Sequence, residues 1–420
     1  MAVDTSTVTA LSTRGITSCR ACHSRKLVSV LDLASQPLAN ELVSSPSAPD
    51  CRFPLHLRIC EVCGLGQVGE YVLPERIFRD YPYLSSVSTS WVAHAREYAQ
   101  RLYRELDMKP SDLVVEIASN DGYLLREFVE LGARVLGIEP ADNVAALARI
   151  AGVETLSVFF GVDEAQSIVD HYGFPRLIAA NNVLAHVPDL DDFVGGLAAL
   201  CDDDTVITVE NPSFVTLLRG ALFDTIYHEH FSYLSAHAVR SLMGRHGLEL
   251  VRVETLPTHG GSYRYWITRE GRWPCEASVD ATVEEELREG LLTQPLWSEF
   301  AQRCQSTILE LQRWLSARVS EGVRVAAYGA AAKGNTLLNA AGVTNLDVTF
   351  VVDGSSEKQG KFLPGSRIPV VAPERLTAFD PTDVLILPWN LAREIAPLVA
   401  DLTPAAQCWT AVPTMAQVST

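Results

Sequence analysis

Positive charge is what this chain has least of: 34 lysines and arginines stand against 51 aspartates and glutamates, a net charge of −17 over 420 residues. That deficit argues against a nucleic-acid polymer or an anionic membrane as partner, since both bind through basic surfaces. It leaves room for a single anionic ligand in a local basic pocket. No run approaches the ~20 apolar residues of a transmembrane helix. The opening MAVDTSTVTALSTRG lacks the basic stretch and apolar core of a secretory signal. Cys201, Cys275, Cys304 and Cys408 are scattered singly, the usage of a reducing compartment, so the cytoplasm is expected. The remainder, 47% hydrophobic and 20% charged, suits a globular chain of two or three domains.

The other five cysteines fall early, and four of them form two C-x-x-C pairs, Cys19 with Cys22 and Cys60 with Cys63. Each pair can put two thiolates on one metal, and two pairs complete a tetrahedral S₄ site of structural Zn²⁺. Residues 23–59 separate the pairs, a longer gap than a zinc ribbon has, so something folds inside it. Cys51 is a spare thiol and a weaker alternative ligand. A filled S₄ site has no open position and is expected to hold shape, not to do chemistry.

Organisation follows from pattern. Residues 1–14 read as a disordered leader, and 15–75 as the zinc-binding domain with a Ser/Pro/Ala loop at 44–49. A helical linker spans 76–110, with apolar Trp91, Ala95, Tyr98, Ala99 and Leu102 near helical spacing. From 112 strands and helices alternate. DLVVEI, ARVLGIEP, RLIAANN and TVITVEN read as strands; 123–131, 141–150 and 190–200 read as helices. That alternation predicts an α/β fold with a doubly wound parallel sheet over 111–275. After helices in 281–320, GVRVAAYGAAAKGNTLLN repeats strand, glycine turn and helix. The predicted third part is a Rossmann-like α/β domain over 276–420.

The turn after the first strand, Glu116-Ile117-Ala118-Ser119-Asn120-Asp121-Gly122, lacks the G-x-G-x-x-G of a dinucleotide site. It has Glu116 in the strand and Asp-Gly in the turn, and Glu139 ends the second strand, about 20 residues on, where an acid meets ribose hydroxyls. Pyrophosphate would avoid two carboxylates. A ligand without phosphate and with positive charge would not, and S-adenosyl-L-methionine fits. The cofactor candidates are Glu116, Ser119, Asn120, Asp121, Gly122, Glu139, Pro140 and Asn181. A nicotinamide-dependent oxidoreductase is the rival that the missing glycines disfavour.

Chemistry is expected from Tyr227-His228-Glu229-His230, four titratable residues in a row. The histidines are two apart, so this is not the H-E-x-x-H of a zinc protease. In an extended segment His228 and His230 would share a face; in a turn all four could meet at one cavity. Histidine suits proton abstraction near neutral pH. His186, in NNVLAHVPDL, falls at the edge of the sheet where ligands bind. Tyr81 and Tyr83 lie in the linker. Lys333, at the helix start in YGAAAKGN, makes a ready anion site with Gly334 and Asn335.

Together the paired cysteines, E-I-x-S-N-D-G, N-V-L-A-H-V-P-D-L, Y-H-E-H-F-S-Y, H-G-G-S and Y-G-A-A-A-K-G-N-T-L-L-N resemble the three-part sugar C-methyltransferases of antibiotic deoxysugar pathways, over nearly the whole chain. The resemblance implies a zinc domain, a class I methyltransferase domain and a C-terminal Rossmann-like domain. It implies a nucleotide-linked, usually dTDP-linked, 4-keto-6-deoxysugar as substrate. It places Tyr81, His186, Tyr227, Glu229 and His230 around the sugar, with His230 as base. His259 and Ser262 of H-G-G-S, with Lys333, Gly334 and Asn335, become candidates for holding the nucleotide sugar. Ala118 stands where the family usually has glycine, and Tyr263 stands within G-G-S-x-R. C-methylation would need the 4-keto group to acidify C3 or C5, a base, a donor to the enolate oxygen (Tyr227, Tyr81 or His186) and an in-line sulfonium methyl. No catalytic metal is required. An O- or N-methyltransferase, which needs no ketone, is the nearest alternative, and the oligomeric state stays open, a monomer among the options.

Overall fold

The computed structural model describes residues 15–70, 72–79, 81 and 84–418. The expected leader, 1–14, and Tyr83 lie outside the described residues. Among the described residues no helix is long and apolar enough to cross a membrane.

What folds inside the cysteine gap is a long antiparallel hairpin, β1 (Leu27–Pro37) with β2 (Arg52–Cys60), extended by the short β3 (Gly66–Gln67). Its core face alternates as period-two strands must: Leu31 and Leu33 on β1, Phe53, Leu55, Leu57 and Ile59 on β2 are buried. The pairing register shifts within β1 between Asp32 and Ser35, where Ala34 takes φ 58°, a bulge that bends the hairpin.

The central sheet is built from β4 (Leu113–Ile117), β5 (Arg134–Ile138), β6 (Thr155–Leu156), β7 (Leu177–Asn181) and β8 (Val206–Pro212), all parallel. Between β8 and β10 in the chain, β9 (Ser232–Tyr233) leaves this sheet and pairs with β3 of the N-terminal unit. β10 (Leu248–Leu256) and β11 (Ser262–Arg269) then close the central sheet as a hairpin. The order β10-β11-β8-β7-β4-β5-β6, with only β11 antiparallel, is the class I methyltransferase sheet. Parallel strands are covered on both faces, which is why LVVEI and LIAAN read as continuous apolar runs. The helix Thr89–Glu105 starts on a Ser88 cap and buries Ala95, Tyr98, Ala99 and Leu102, the stripe seen in the sequence.

The third sheet runs β14-β13-β12-β15-β16-β17, from β12 (Val325–Tyr328), β13 (Val351–Val352), β14 (Val370–Val371), β15 (Asp383–Ile386), β16 (Gln407–Thr410) and β17 (Ala416–Gln417), only the last antiparallel. The predicted strand, turn and helix stand at Val325–Tyr328 and Ala332–Ala340.

The three sheets share their cores. One apolar cluster runs from Leu31, Leu55 and Leu57 through Phe214 and Phe223 to Leu337 and Leu385. Another joins Cys19, Cys60 and Cys63 to Leu234 and Ala236 of the central unit.

Candidate active site

The metal ligands are brought together by two knuckles. In the first, His23 N–H donates to the Cys19 carbonyl and Cys19 N–H to Ser24; in the second, Gly64 N–H donates to the Cys60 carbonyl. His23 (φ 61°) and Gly64 (φ 72°) turn the chain, and a Cβ on Gly64 would meet Leu291 at 2.8 Å. Cys19 Sγ lies 3.5 Å from Cys63 Sγ, Cys22 Sγ 3.5 Å from Cys60 Sγ, and all four fall within 4.8 Å. A tetrahedral zinc with bonds of ~2.3 Å sets sulfurs about 3.8 Å apart, so the set fits. Packed thiols share their ionisation: Cys60 is drawn well down by its hydrogen-bonding neighbours while Cys63 is pushed up. A dication would hold all four as thiolates. Cys51 is exposed and outside the group.

The cofactor candidates meet where β4, β5 and β7 end, the ligand edge of an open α/β sheet. The turn after β4 takes positive φ at Ala118 (58°), Asn120 (50°) and Gly122 (77°). Ala118 thus occupies a left-handed position that favours glycine, the physical content of the family's preference there. A Cβ on Gly122 would meet Val153 at 2.9 Å, and one on Gly137 would meet Ser119 Oγ at 2.5 Å. Glu139 steadies the turn, accepting Asn120 N–H at 2.9 Å and Ala141 N–H at 2.8 Å. Pro140, half-buried, follows it. Ser85 and Ser86 N–H donate to Asn120 Oδ1 and Asp121 Oδ2 at 2.8 and 3.2 Å, folding the linker over the turn.

Ser119 Oγ and Asp121 Oδ1 are buried and accept no hydrogen bond, and among the described residues the buried Glu116 carboxyl and Asn181 have only the Tyr123 hydroxyl beside them. Burial pushes the Glu116 carboxyl well above its ordinary range; the Tyr123 hydroxyl opposes the rise, and the charges of Glu139 and Asp121 add to it. Such orphaned acceptors fit a ligand that brings hydroxyls and positive charge, as S-adenosylmethionine does.

Residues 227–230 form a turn, closed by His230 N–H to the Tyr227 carbonyl at 3.0 Å. His230 Nδ1 donates to the Thr225 carbonyl at 2.8 Å, which leaves Nε2 as the basic nitrogen of the neutral ring. Tyr227 Oη lies 3.0 Å from that Nε2 and donates to it. His228 points the other way: its Nε2 donates to Phe53 O on β2 at 3.2 Å, and burial pushes it down to about 4. Glu229 Oε2 accepts from Asn40 Nδ2 at 2.6 Å, and burial pushes its carboxyl up to about 7. His186 Nδ1 donates to the Glu229 carbonyl at 2.7 Å, with its ring centroid 4.8 Å from that of His230. Burial holds His186 near 4, so it is neutral and offers only a lone pair at Nε2. The turn, not the extended form, is therefore realised. It gathers Tyr227, His230 and His186 and leaves His228 outside. Tyr81 is tied by its backbone to Asn143 and packs on Phe78, which in turn packs on His186.

The nucleotide-sugar candidates lie where the ends of β12 and β15 face the central unit. Lys333 Nζ donates to Asn390 Oδ1 at 2.8 Å and sits 4.9 Å from the Trp389 ring centroid. Trp389 Nε1 donates to Asp224 Oδ2 at 2.8 Å, three residues before Tyr227, and burial pushes Asp224 up to about 6. A Cβ on Gly334 would meet Leu387 at 2.6 Å, and Asn335 is buried, its Oδ1 accepting from Asn339. Ser262 Oγ is buried and donates to the Thr258 carbonyl at 3.0 Å. The side chain of His259 lies outside the described residues.

Asn40, Asp224 and Trp389 escaped the sequence analysis. Only Asp224 and Trp389 carried a signal, one being just upstream of Tyr227 and the other ending DVLILPW. A buried group also passed unnoticed beside the sheet edge: Glu210 accepts from Arg264 at 2.6 Å, Thr258 at 3.0 Å and His94 at 3.0 Å.

Residues 19–78 match a family described as a zinc binding domain, residues 91–253 a methyltransferase domain family, and residues 257–413 a C-methyltransferase C-terminal domain family. The C-methyltransferase NovU of Streptomyces niveus is 34% identical over 385 residues, covering 91% of this chain and 92% of that protein. A ubiquinone biosynthesis O-methyltransferase of Rhodopseudomonas palustris is 28% identical over 151 residues, 33% of this chain and 58% of that protein. Among solved structures, an Anabaena variabilis SAM-dependent methyltransferase shares 14% identity with TM-score 0.36, over 45% of this chain and 88% of that one. Three families in order along the chain and a relative matched almost end to end fix the assignment: the chain belongs to the S-adenosylmethionine-dependent C-methyltransferases built from a zinc binding domain, a methyltransferase domain and a C-methyltransferase C-terminal domain.

Proposed function

We propose that this enzyme methylates a carbon next to the ketone of a nucleotide-linked, preferentially dTDP-linked, 4-keto-6-deoxysugar, C3 before C5, in deoxysugar and antibiotic biosynthesis in the cytoplasm. The observation that carries the reading is His230: its Nδ1 is committed to the Thr225 carbonyl, and its basic Nε2 faces a phenol. In this account the base Nε2 takes the α-proton, and the electron pair moves onto the ketone oxygen as an enolate. Tyr227 donates to Nε2 while that nitrogen is basic. Once His230 is protonated the Tyr227 hydroxyl is released and turns its proton to the enolate oxygen, the oxyanion role. The enolate carbon then attacks the sulfonium methyl, and S-adenosylhomocysteine leaves. His186 has no proton to give at Nε2, so it accepts from a sugar hydroxyl, and Tyr81 stands beside Tyr227 as the second phenol.

Glu116, Ser119, Asn120, Asp121, Gly122, Glu139, Pro140 and Asn181 hold the cofactor; of these Glu116 and Asp121 meet its positive end. Lys333, with the helix start at Ala332–Ala340 (Gly334 and Asn335 within it), takes the diphosphate, with His259 and Ser262 alongside. The functional units are 15–75, 76–110, 111–275 and 276–420. The test is α-carbon deuterium exchange in D₂O with S-adenosylhomocysteine in place of the methyl donor. Exchange at the carbon beside the ketone supports the reading. No exchange across a panel of dTDP-keto-sugars, with turnover of a ketone-free acceptor, replaces it with an O- or N-methyltransferase.

A further inference from the structure

The catalytic segment is built on the zinc unit at five successive points. Asn40 holds Glu229 Oε2 at 2.6 Å, and Phe53 O holds His228 Nε2 at 3.2 Å. Arg20, inside the first knuckle between Cys19 and Cys22, donates from Nη1 to Phe231 O at 2.9 Å, and Val68 N–H donates to the same carbonyl at 3.1 Å. Gly66 and Gln67 pair with Tyr233 and Ser232. The backbone there is an added strand of the N-terminal sheet.

Of these contacts only Asn40 reaches a side chain of the proposed sugar site. Its own position is fixed by the turn after β1, where Leu42 N–H donates to its carbonyl and buried Leu38 and Ala39 precede it. Glu229 is 3% exposed and forms no salt bridge among the described residues, so Asn40 keeps its carboxylate in place, by its side-chain amide first and by its backbone N–H second, and only the first is lost in an alanine variant. The groups facing Glu229 are Asn40 from the zinc unit, the Tyr227 hydroxyl, which feels its charge, and His186, anchored on its carbonyl. Tyr81, Tyr233 and Asp224 act on Tyr227 in turn.

We propose that Asn40 is a positioning residue of the methyl-transfer reaction: its amide holds the Glu229 side chain in the arrangement that receives the sugar. The zinc unit is thereby part of the sugar site, although its metal does no chemistry. This inference rests on the sugar-site assignment given above. An amide donor favours the charged carboxylate, so removing it moves the Glu229 titration to higher pH.

The experiment compares Asn40→Ala and the isosteric Asn40→Asp with the unaltered enzyme. It reads kcat and KM for the keto sugar across pH, affinity for S-adenosylhomocysteine, bound zinc, and the Glu229 carboxyl band in infrared titration, assigned by its loss in Glu229→Gln. Expected for Asn40→Ala is full zinc, unchanged cofactor affinity, and kcat/KM lower by about tenfold to a hundredfold, the share of one hydrogen bond to a charged group. The acidic midpoint of the profile and of the infrared band should both move to higher pH. Asn40→Asp, which keeps the shape and adds a second carboxyl, should move them further. Should Asn40→Ala lose zinc, Asn40→Asp alone decides. Unaltered kcat/KM with an unmoved profile overturns the proposal. If no keto sugar is turned over, the function given above fails, and the infrared band still decides: an unmoved midpoint overturns the role of Asn40.

Discussion

Replacing Glu116 by glutamine should change two measurements in opposite directions. Glu116 is 1% exposed; burial raises its carboxyl, the Tyr123 hydroxyl opposes that rise, and the carboxylates of Glu139 and Asp121 add to it. Burial therefore keeps the folded group protonated where the unfolded chain has lost the proton. A carboxyl raised in this way costs no stability below its unfolded value near 4.5. The cost grows by about 1.4 kcal/mol per pH unit above that, until the folded value is reached. Glutamine removes the titration. Without cofactor, Glu116→Gln should be more stable at pH 7.5 by up to about 4 kcal/mol, three pH units above 4.5 at about 1.4 kcal/mol each, and the gain should shrink to nothing near pH 4. With cofactor the sign turns, because the carboxylate that would face its positive end is gone. S-adenosylmethionine affinity should fall by about 1–3 kcal/mol, or roughly 5- to 150-fold. Denaturant titration at several pH values and calorimetry read both. A less stable variant at pH 7.5, or one with unaltered cofactor affinity, would refute the reasoning.

Three further outcomes are expected. Cys60→Ser should lower zinc from one equivalent per chain and lower the midpoint of unfolding, because Cys60 and Cys63 lie in the core shared with the central sheet; elemental analysis and thermal melts check it, and a full equivalent in the variant would contradict it. Ala118→Gly should stabilise the protein by up to about 1 kcal/mol, the strain of about 1–2 kcal/mol at φ 58° less the roughly 0.4–1 kcal/mol that glycine adds to the unfolded chain's freedom; a variant less stable in denaturant would mean that the turn stores no strain. His230→Ala should leave cofactor affinity intact and cut kcat by about 10²–10⁴, with loss of α-carbon exchange, whereas His228→Ala, whose ring faces Phe53, should still exchange; exchange surviving in His230→Ala would move the base to His186 or Tyr227.

Much of this was legible because local pattern and tertiary structure agree. The strand-turn-helix openings at Glu116 and Gly329 carry their signals in a few consecutive residues, and so do the cysteine pairs. The helix Leu190–Leu200 sits within the span its periodicity marks. The β10–β11 hairpin was missed, since LELVRVETL carries charges that neighbouring helix ends neutralise: Arg252 pairs with Glu105, which ends the helix Thr89–Glu105, and with Glu276, which caps the helix Ala277–Arg288. The helix Ala392–Leu402 was missed because Pro397 interrupts its pattern. The orientation of His228 was not legible either, because period two and a turn are equally open to Y-H-E-H until Phe53 supplies an acceptor. Asn40 lies 189 residues from Glu229, and no spacing rule connects residues that meet across two sheets.

The central claim is that a carbon, not a heteroatom, receives the methyl group. The direct measurement is two-dimensional NMR of product formed from S-adenosylmethionine carrying a ¹³C-methyl label and a dTDP-4-keto-6-deoxysugar. The account predicts one labelled methyl with direct carbon–carbon coupling to a ring carbon beside the ketone, none of it with His230→Ala. A labelled methyl in the O-methyl or N-methyl region, without that coupling, would contradict it.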